Sequence, residues 1–326
     1  MERVITMLHK LIMDIPSYIT KEIKALDLGI EAPERNEDIE ILLKNTVLQG
    51  GKRLRPLLCF LVADLFGVTC DEINPYARAI ELVHAASLTH DDVVDNATLR
   101  RGRPSINVAS SNKKAVLVGD YLLADVIVSL SKRGNVKLVT EMAKIIKDLA
   151  EGEWLQLQMS EDKNYTKERI TQIAKLKTAS VMSWCTISPA ILANASDDLV
   201  TLSRSFGNNL GMAFQLIDDA MDFRSAVEAD KDNNLDFANG IINSVVYELF
   251  INSQTLFKQY KSGETLNLFN YESELMAAVK TIRLNAKTYI DTAEQELRQI
   301  FEIVKGNEKT LRPLLQILNF LAKRGQ

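Results

Sequence analysis

The sequence predicts an all-α protein, a single large helical bundle around a central cavity, and three observations lead there. Pro and Gly are scarce, 7 and 14 among 326 residues, which disfavours a turn-rich β architecture. Apolar residues recur closely in long unbroken runs, most clearly at Leu82, Val83, Ala85, Ala86 and Leu88, as a largely buried helix requires. Two such runs end in the same acidic pattern, and acids on two helices can share ions only across a common hollow. No linker, internal repeat or low-complexity tract divides the chain, so residues 1–326 are read as one domain.

Taken in order, residues 1–49 form two or three amphipathic helices for packing or dimer contact, with breaks near Asp14-Ile15-Pro16 and at Glu31–Asn36. GGKRLRP follows at Gly50–Pro56, where two glycines release the backbone before a basic cluster that opens the next helix. Lys52, Arg53 and Arg55 beside a helix N-terminus suit an anion, because the dipole and free N–H groups add to the side-chain charge. The stretch Glu81–Arg103, ELVHAASLTHDDVVDNATLRRGR, is the next helix and its charged end. Asp91 and Asp95 lie one turn apart on one face with Asp92 beside them. Arg100 and Arg101 come within two further turns, and paired arginines grip phosphate oxygens well. His84, two turns before Asp91 on nearly the same face, is either a hydrogen-bonded core imidazole or a contact for a second anion. His90 points elsewhere and has no assigned role.

After Pro104 a polar connection leads to a helix over Lys114–Leu130. Gly134-Asn135 breaks the pattern, and another helix runs to Met159. Gly119 and Ala124 predict close packing against a neighbour. Thr171–Leu192 reads as one long helix with Lys177 and Thr178 in mid-run. That lysine either snorkels to solvent or, facing the cavity, supplies a third cation. Asp197-Asp198 starts the helix that carries Gln215 and the second acidic pattern, Asp218, Asp219 and Asp222. Val227–Asn239, VEADKDNNLDFAN, is the most polar stretch and reads as a mobile loop carrying Lys231, a lid over a neighbouring site. Residues 241–326 read as helices broken near Ser262-Gly263 and Gly306-Asn307, with no recognisable chemistry.

A lone acidic cluster at a helix end is ordinarily a solvated face. With 21 Asp in 326 residues, chance supplies roughly 0.1 DDxxD per chain, so a pair of them calls for another explanation. Hard carboxylate oxygens suit Mg²⁺, which keeps several waters and is shared with substrate phosphates. Acids for metal beside arginines for phosphate indicate a diphosphate ligand.

Bulk properties narrow the remaining classes. A net charge of −4 and a pI near 5.6 give no reason to expect nucleic acid. Cys59, Cys70 and Cys185 are odd in number and lack metal-site or disulfide spacing, which predicts a reducing, cytoplasmic setting. His9 and Lys10 split the first apolar run before it reaches the length of a signal segment, and no 18-residue apolar window is long enough to span a membrane.

In these residues the chain resembles the trans-isoprenyl diphosphate synthases, or polyprenyl synthetases, of long-chain type. The likeness rests on GGKRLRP, ELVHAASLTHDDVVDNATLRRG, VLVGDYLL, GEWLQ at 152–156, KTAS at 177–180 and FQLIDDAMDF, in the family's order and through about residue 250. It implies the isoprenoid synthase fold. It also implies condensation of isopentenyl diphosphate onto an allylic diphosphate with two to three Mg²⁺ ions. Asp91, Asp95, Asp218 and Asp222 then match metal ligands. Lys52, Arg55, His84 and Arg101 match the isopentenyl diphosphate site, which the C-terminal Lys323-Arg324 would approach. Arg100, Lys177, Thr178 and Gln215 match the allylic site, with Lys231 an extra contact, and Lys177 and Gln215 join the aspartates in the catalytic set. Ala86 and Ser87 stand where short-chain members place bulky aromatics, so the resemblance implies a deep pocket and a long product, a quinone side-chain precursor. The family's later Gly-Lys pair is replaced by Gly240-Ile241, and its first by Asp230-Lys231. A homodimer, a catalytic subunit needing a small partner chain and a non-catalytic partner of the same fold all remain open.

Overall fold

The computed structural model describes residues 15–29, 37–48, 53–228, 237, 240–264 and 266–324. Helices dominate them. Two short ones come first, α1 (Ser17–Ala25) and α2 (Glu37–Asn45), followed by α3 (Leu54–Leu65) and α4 (Cys70–Val94). A two-stranded hairpin, β1 (Leu99–Arg100) and β2 (Arg103–Pro104), then leads through α5 (Ile106–Ala109) to the long α6 (Asn112–Lys132) and α7 (Val136–Asp162). Next come α8 (Lys167–Ala174), a π-helical turn (Lys175–Ala179), α9 (Ser180–Leu192) and α10 (Asp197–Glu228). The C-terminal part comprises α11 (Ser244–Asn252), α12 (Gln254–Lys261), a 3₁₀ turn (Leu268–Tyr271), α13 (Glu272–Val304) and α14 (Glu308–Arg324). Among the described residues no helix is long and apolar enough to cross a membrane.

Helix α9 forms the centre. Every residue from Ser180 to Ile191 is buried, as expected of a run, SVMSWCTISPAI, with no charged residue to keep in water. It packs against α3, α4, α7 and α10, and α10 packs in turn along α13. Trp184 is fully buried and satisfies its indole by donating from Nε1 to the Tyr76 carbonyl at 3.1 Å. The approach of α10 is possible because Gly211 lacks a side chain: a Cβ there would lie 2.5 Å from Ala179 Cα. Cys59 and Cys185 are buried free thiols.

The helix expected over Thr171–Leu192 is interrupted. A wide turn at Lys175–Ala179 separates α8 from α9, and such π-bulges hold one residue more than regular winding allows. Periodicity of apolar residues does not reveal it, because the upstream helix KERITQIA buries Ile173 alone and α9 is buried all round, so neither side has a stripe from which to read the register. The polar connection near Pro104 also contains a hairpin. Leu99 pairs with Pro104 and Arg100 with Arg103, and Arg101 (φ 53°) and Gly102 (φ 75°) make the tight turn, the left-handed pair of a type I′ loop.

Arg53 departs from its expected role. Its backbone is left-handed (φ 48°), and Nη1 donates at 2.9 Å to the carbonyls of both Ile23 and Leu26. It therefore binds the C-terminal end of α1 and not a ligand, using the cation preference of a helix C-terminus. Arg78, buried on α4, likewise donates to the carbonyls of Asp27 and Gly29. Through these two arginines α1 and its trailing segment pack onto the main body. Lys52, Lys231 and most of the expected lid lie outside the described residues.

Candidate active site

A cavity of about 700 Å³ opens between the ends of α4 and α10. The capping box at Thr69 and Glu72 fixes the start of α4, and a regular helix from there carries Asp91 and, at its C-cap, Asp95 to the cavity mouth. Asp218 and Asp222 reach the same cavity from α10. Arg55, His84, Ser87, Lys177, Thr178 and Gln215 also line it. The two acid pairs therefore face one hollow.

The middle aspartates have a different position. Asp92 is completely buried and accepts from Arg100 Nε at 2.9 Å and Nη2 at 2.5 Å. Asp219, also buried, accepts from the Ser244 backbone N–H (3.1 Å), the Ser244 hydroxyl (2.6 Å) and Gln215 Nε2 (2.8 Å). Adjacent helical residues point about 100° apart, and Asp92 accordingly faces the protein, whereas Asp219, though tied to Ser244 and Gln215, still borders the cavity. Arg100 thus rests on Asp92, behind the cavity-lining residues yet near enough to act on the charge of Asp91.

Gln215 has both ends of its amide engaged. Thr178 Oγ1 donates to its Oε1 at 2.6 Å, and its Nε2 goes to Asp219. The bridge ties the π-turn to Asp219 in the middle of the second acidic motif. Lys177, on the same turn, donates to Glu153 Oε2 and to Gln156 Oε1 at 3.2 Å. Gly152 admits it, since a Cβ there would lie 2.7 Å from Lys177 Cγ.

Electrostatics divide the cavity into two ends. Asp91 is pushed up to about 6, first by burial and then by Glu153 and Asp95, against the lowering effect of Lys177 and Arg100. An acidic site that holds its own charges at such cost fits an added cation. Among the described residues no three acidic, His or Cys side chains converge on one point. Asp91 and Asp95 come instead to the cavity from one helix, and Asp218 and Asp222 from the other. At the other end, burial lowers the pKa of Arg55, and burial followed by Arg55, Arg101 and Arg100 holds His84 well below the usual histidine value. His84 is therefore a neutral imidazole in a cationic pocket. Glu81 has Arg55, Arg101 and Arg53 around it, its carboxyl raised by burial against their pull.

Residues 36–282 match the polyprenyl synthetase family. The chain belongs to that family. Among relatives, an all-trans-nonaprenyl-diphosphate synthase (geranyl-diphosphate specific) of Rhodobacter capsulatus is 40% identical over 183 residues, 56% of each chain. Solanesyl-diphosphate synthase 1, mitochondrial, of Oryza sativa subsp. japonica is 34% identical over 253 residues, 72% of this chain and 58% of its own. The matched part thus spans little more than half the length of these relatives. Among solved structures, a polyprenyl synthase of Caulobacter crescentus CB15, complexed with calcium and isoprenyl diphosphate, superposes with TM-score 0.81 at 26% identity, covering 99% of this chain and 98% of that one. A decaprenyl diphosphate synthase of Rhodobacter capsulatus gives 0.79 at 27%, covering 100% and 99%.

For a polyprenyl synthetase read from its sequence, three corrections stand out. Ala86 is fully buried and outside the cavity wall, whereas its neighbour Ser87 lines it; one helical step turns a side chain away. Residues 241–326 do reach the site. Asn285, Thr288 and Tyr289 of α13, Tyr247 and Glu248 of α11, and Ile241 at the family's lysine position all line the cavity. Arg324, expected near the isopentenyl end, instead approaches Asp218 at 3.6 Å. Glu153 and Gln156 sit in the quoted GEWLQ motif, yet sequence reasoning gave them no role.

Proposed function

We propose that the chain is a long-chain trans-polyprenyl diphosphate synthase that adds isopentenyl diphosphate stepwise to an allylic diphosphate. The observation that carries this is the pair of aspartates from α4 and the pair from α10 lining one cavity beside Lys177 and Arg55. Asp91, Asp95, Asp218 and Asp222 would hold two to three Mg²⁺ ions, which when bound draw charge off the leaving diphosphate. Lys177, Thr178 and Arg100, with Lys231, orient the allylic diphosphate, and Gln215 keeps Thr178 and Asp219 in register.

Arg55, Arg101 and neutral His84, with Lys52, hold the second diphosphate at the opposite end. The allylic C–O bond then breaks, and the isopentenyl double bond forms a C–C bond to the allylic carbon. Loss of a proton, taken up by the released diphosphate, regenerates a double bond. Leu88, Leu149, Met159, Ile170 and Leu216 line the cavity with hydrocarbon, which keeps water from the cation. The small side chain of Ser87 leaves the wall open to a growing chain, and a long product suits a quinone side chain.

Residues 1–326 act as one domain in this reading, with the N-terminal helices packed on it. A homodimer is favoured by exposed apolar side chains on the adjacent helices α6 and α7, among them Val116, Leu117, Val128 and Trp154. The test is incubation of the purified chain with Mg²⁺, isopentenyl diphosphate and farnesyl diphosphate, with products sized by chromatography. Products longer than geranylgeranyl, abolished by a chelator, are expected. No elongation by the chain alone would overturn the proposal.

A further inference from the structure

The cations assigned to the allylic diphosphate are themselves held by carboxylates. Arg100 rests on Asp92 and Lys177 on Glu153, and in each carboxylate one oxygen, Asp92 Oδ2 and Glu153 Oε1, is buried with no hydrogen-bond partner. A buried carboxylate oxygen left unsatisfied is costly, so its retention calls for a reason beyond packing. Glu153 sits at the start of GEWLQ on α7, directly after the glycine that lets the π-turn approach. Its partner Lys177 is a flexible ammonium, half-buried beside the first acid pair. Lys177 lines the same cavity as Asp91 and Asp95, yet its hydrogen bonds go to Glu153 and Gln156.

We propose that Glu153 is a positioning residue that holds the Lys177 ammonium off Asp91, leaving that carboxylate open to a divalent cation. The inference rests on the metal and diphosphate reading above. Without Glu153, the ammonium is free to turn to Asp91 in the same cavity wall, where it competes with the metal for the same oxygens. Gln156 keeps one hydrogen bond to Lys177 but carries no charge to retain it. An amide at position 153 can still accept from the ammonium, so its effect should be intermediate.

The test uses the full chain with inorganic diphosphate and Mn²⁺, free Mn²⁺ being counted by electron paramagnetic resonance. Glu153→Ala is expected to weaken Mn²⁺ binding about tenfold, and Glu153→Gln by less. In a Lys177→Ala background the same Glu153 substitutions should change Mn²⁺ binding less than twofold, because no ammonium remains to be held back. An equal loss in both backgrounds, or no loss with Lys177 present, overturns the proposal. If Glu153→Ala does not fold, as judged by circular dichroism, Glu153→Gln decides by the same comparison. Failure of the unaltered chain to bind Mn²⁺ with diphosphate would instead overturn the metal-site reading, and this proposal with it.

Discussion

Replacing Asp92 by Asn should separate the middle position of the first acidic motif from its neighbours. Asp92 is fully buried and receives two hydrogen bonds from one guanidinium, while Arg100 is partly open to solvent. A hydrogen bond to a charged group contributes about 1.5–3 kcal/mol, and solvent on the arginine side places this pair near the lower end, at about 2 kcal/mol. At the usual unfolding entropy per residue, 326 residues give about 0.7 kcal/mol per kelvin, so Tm should fall by about 3 °C. A released Arg100 must also be ordered again by substrate, at about 0.5–1.5 kcal/mol. That corresponds to about a two- to twelvefold rise in KM for the allylic diphosphate, with the Mg²⁺ requirement unchanged because Asp91 and Asp95 are untouched. The assay is a double-mutant cycle of Asp92→Asn and Arg100→Ala, read by thermal unfolding and by KM. Additive effects in both measurements would refute the claim that Asp92 acts through Arg100.

Three other outcomes are expected. Gly211→Ala should lower the urea midpoint, because the atoms met are Ala179 backbone that cannot swing aside, and overpacking of about 1–3 kcal/mol exceeds the helix propensity gained; a raised midpoint would reject the close approach. Ser87→Phe should shorten the product, whereas Ala86→Phe, with no cavity to enter, should cost about 1–3 kcal/mol of stability; unchanged product length in Ser87→Phe counts against the wall as described. Because burial and then the three arginines depress the His84 pKa, the folded chain binds fewer protons than the unfolded one, and stability should decline as pH drops below about 6.5. His84→Asn should flatten that decline between about pH 7 and pH 5.5, and an unaltered slope in denaturant titrations would reject it.

The helical class and the two acid pairs were legible because each depends on local spacing. An amphipathic run and an i, i+4 pair of carboxylates hold their geometry wherever the helix goes. Orientation between helices is not local, and there the sequence misled. Arg53 looked like Arg55 in a basic cluster, yet its left-handed backbone directs it to the α1 carbonyls, and Ala86 looked equivalent to Ser87 until the helix turned it inward. Glu153 carried no signal because its partner is 24 residues away across a helix contact that only folding creates. Asp92 was distinguishable in principle, since its carboxylate turns about 100° from that of Asp91.

The wide turn at Lys175–Ala179 has a consequence for how this molecule can change. A helix with a wet side tolerates an inserted or deleted residue by rotating, at the expense of a few misplaced surface groups. Here the segment immediately downstream has no such side, and its indole is latched to a carbonyl of another helix. A residue lost from the regular winding between Ser180 and Trp184 would turn Trp184 and all that follows by about 100° into atoms already in place, whereas the wide turn itself can shed its surplus residue and return to regular winding with its flanks unmoved. Any change of length along this buried stretch is therefore confined to Lys175–Ala179, and the residues after it can vary only by substitution.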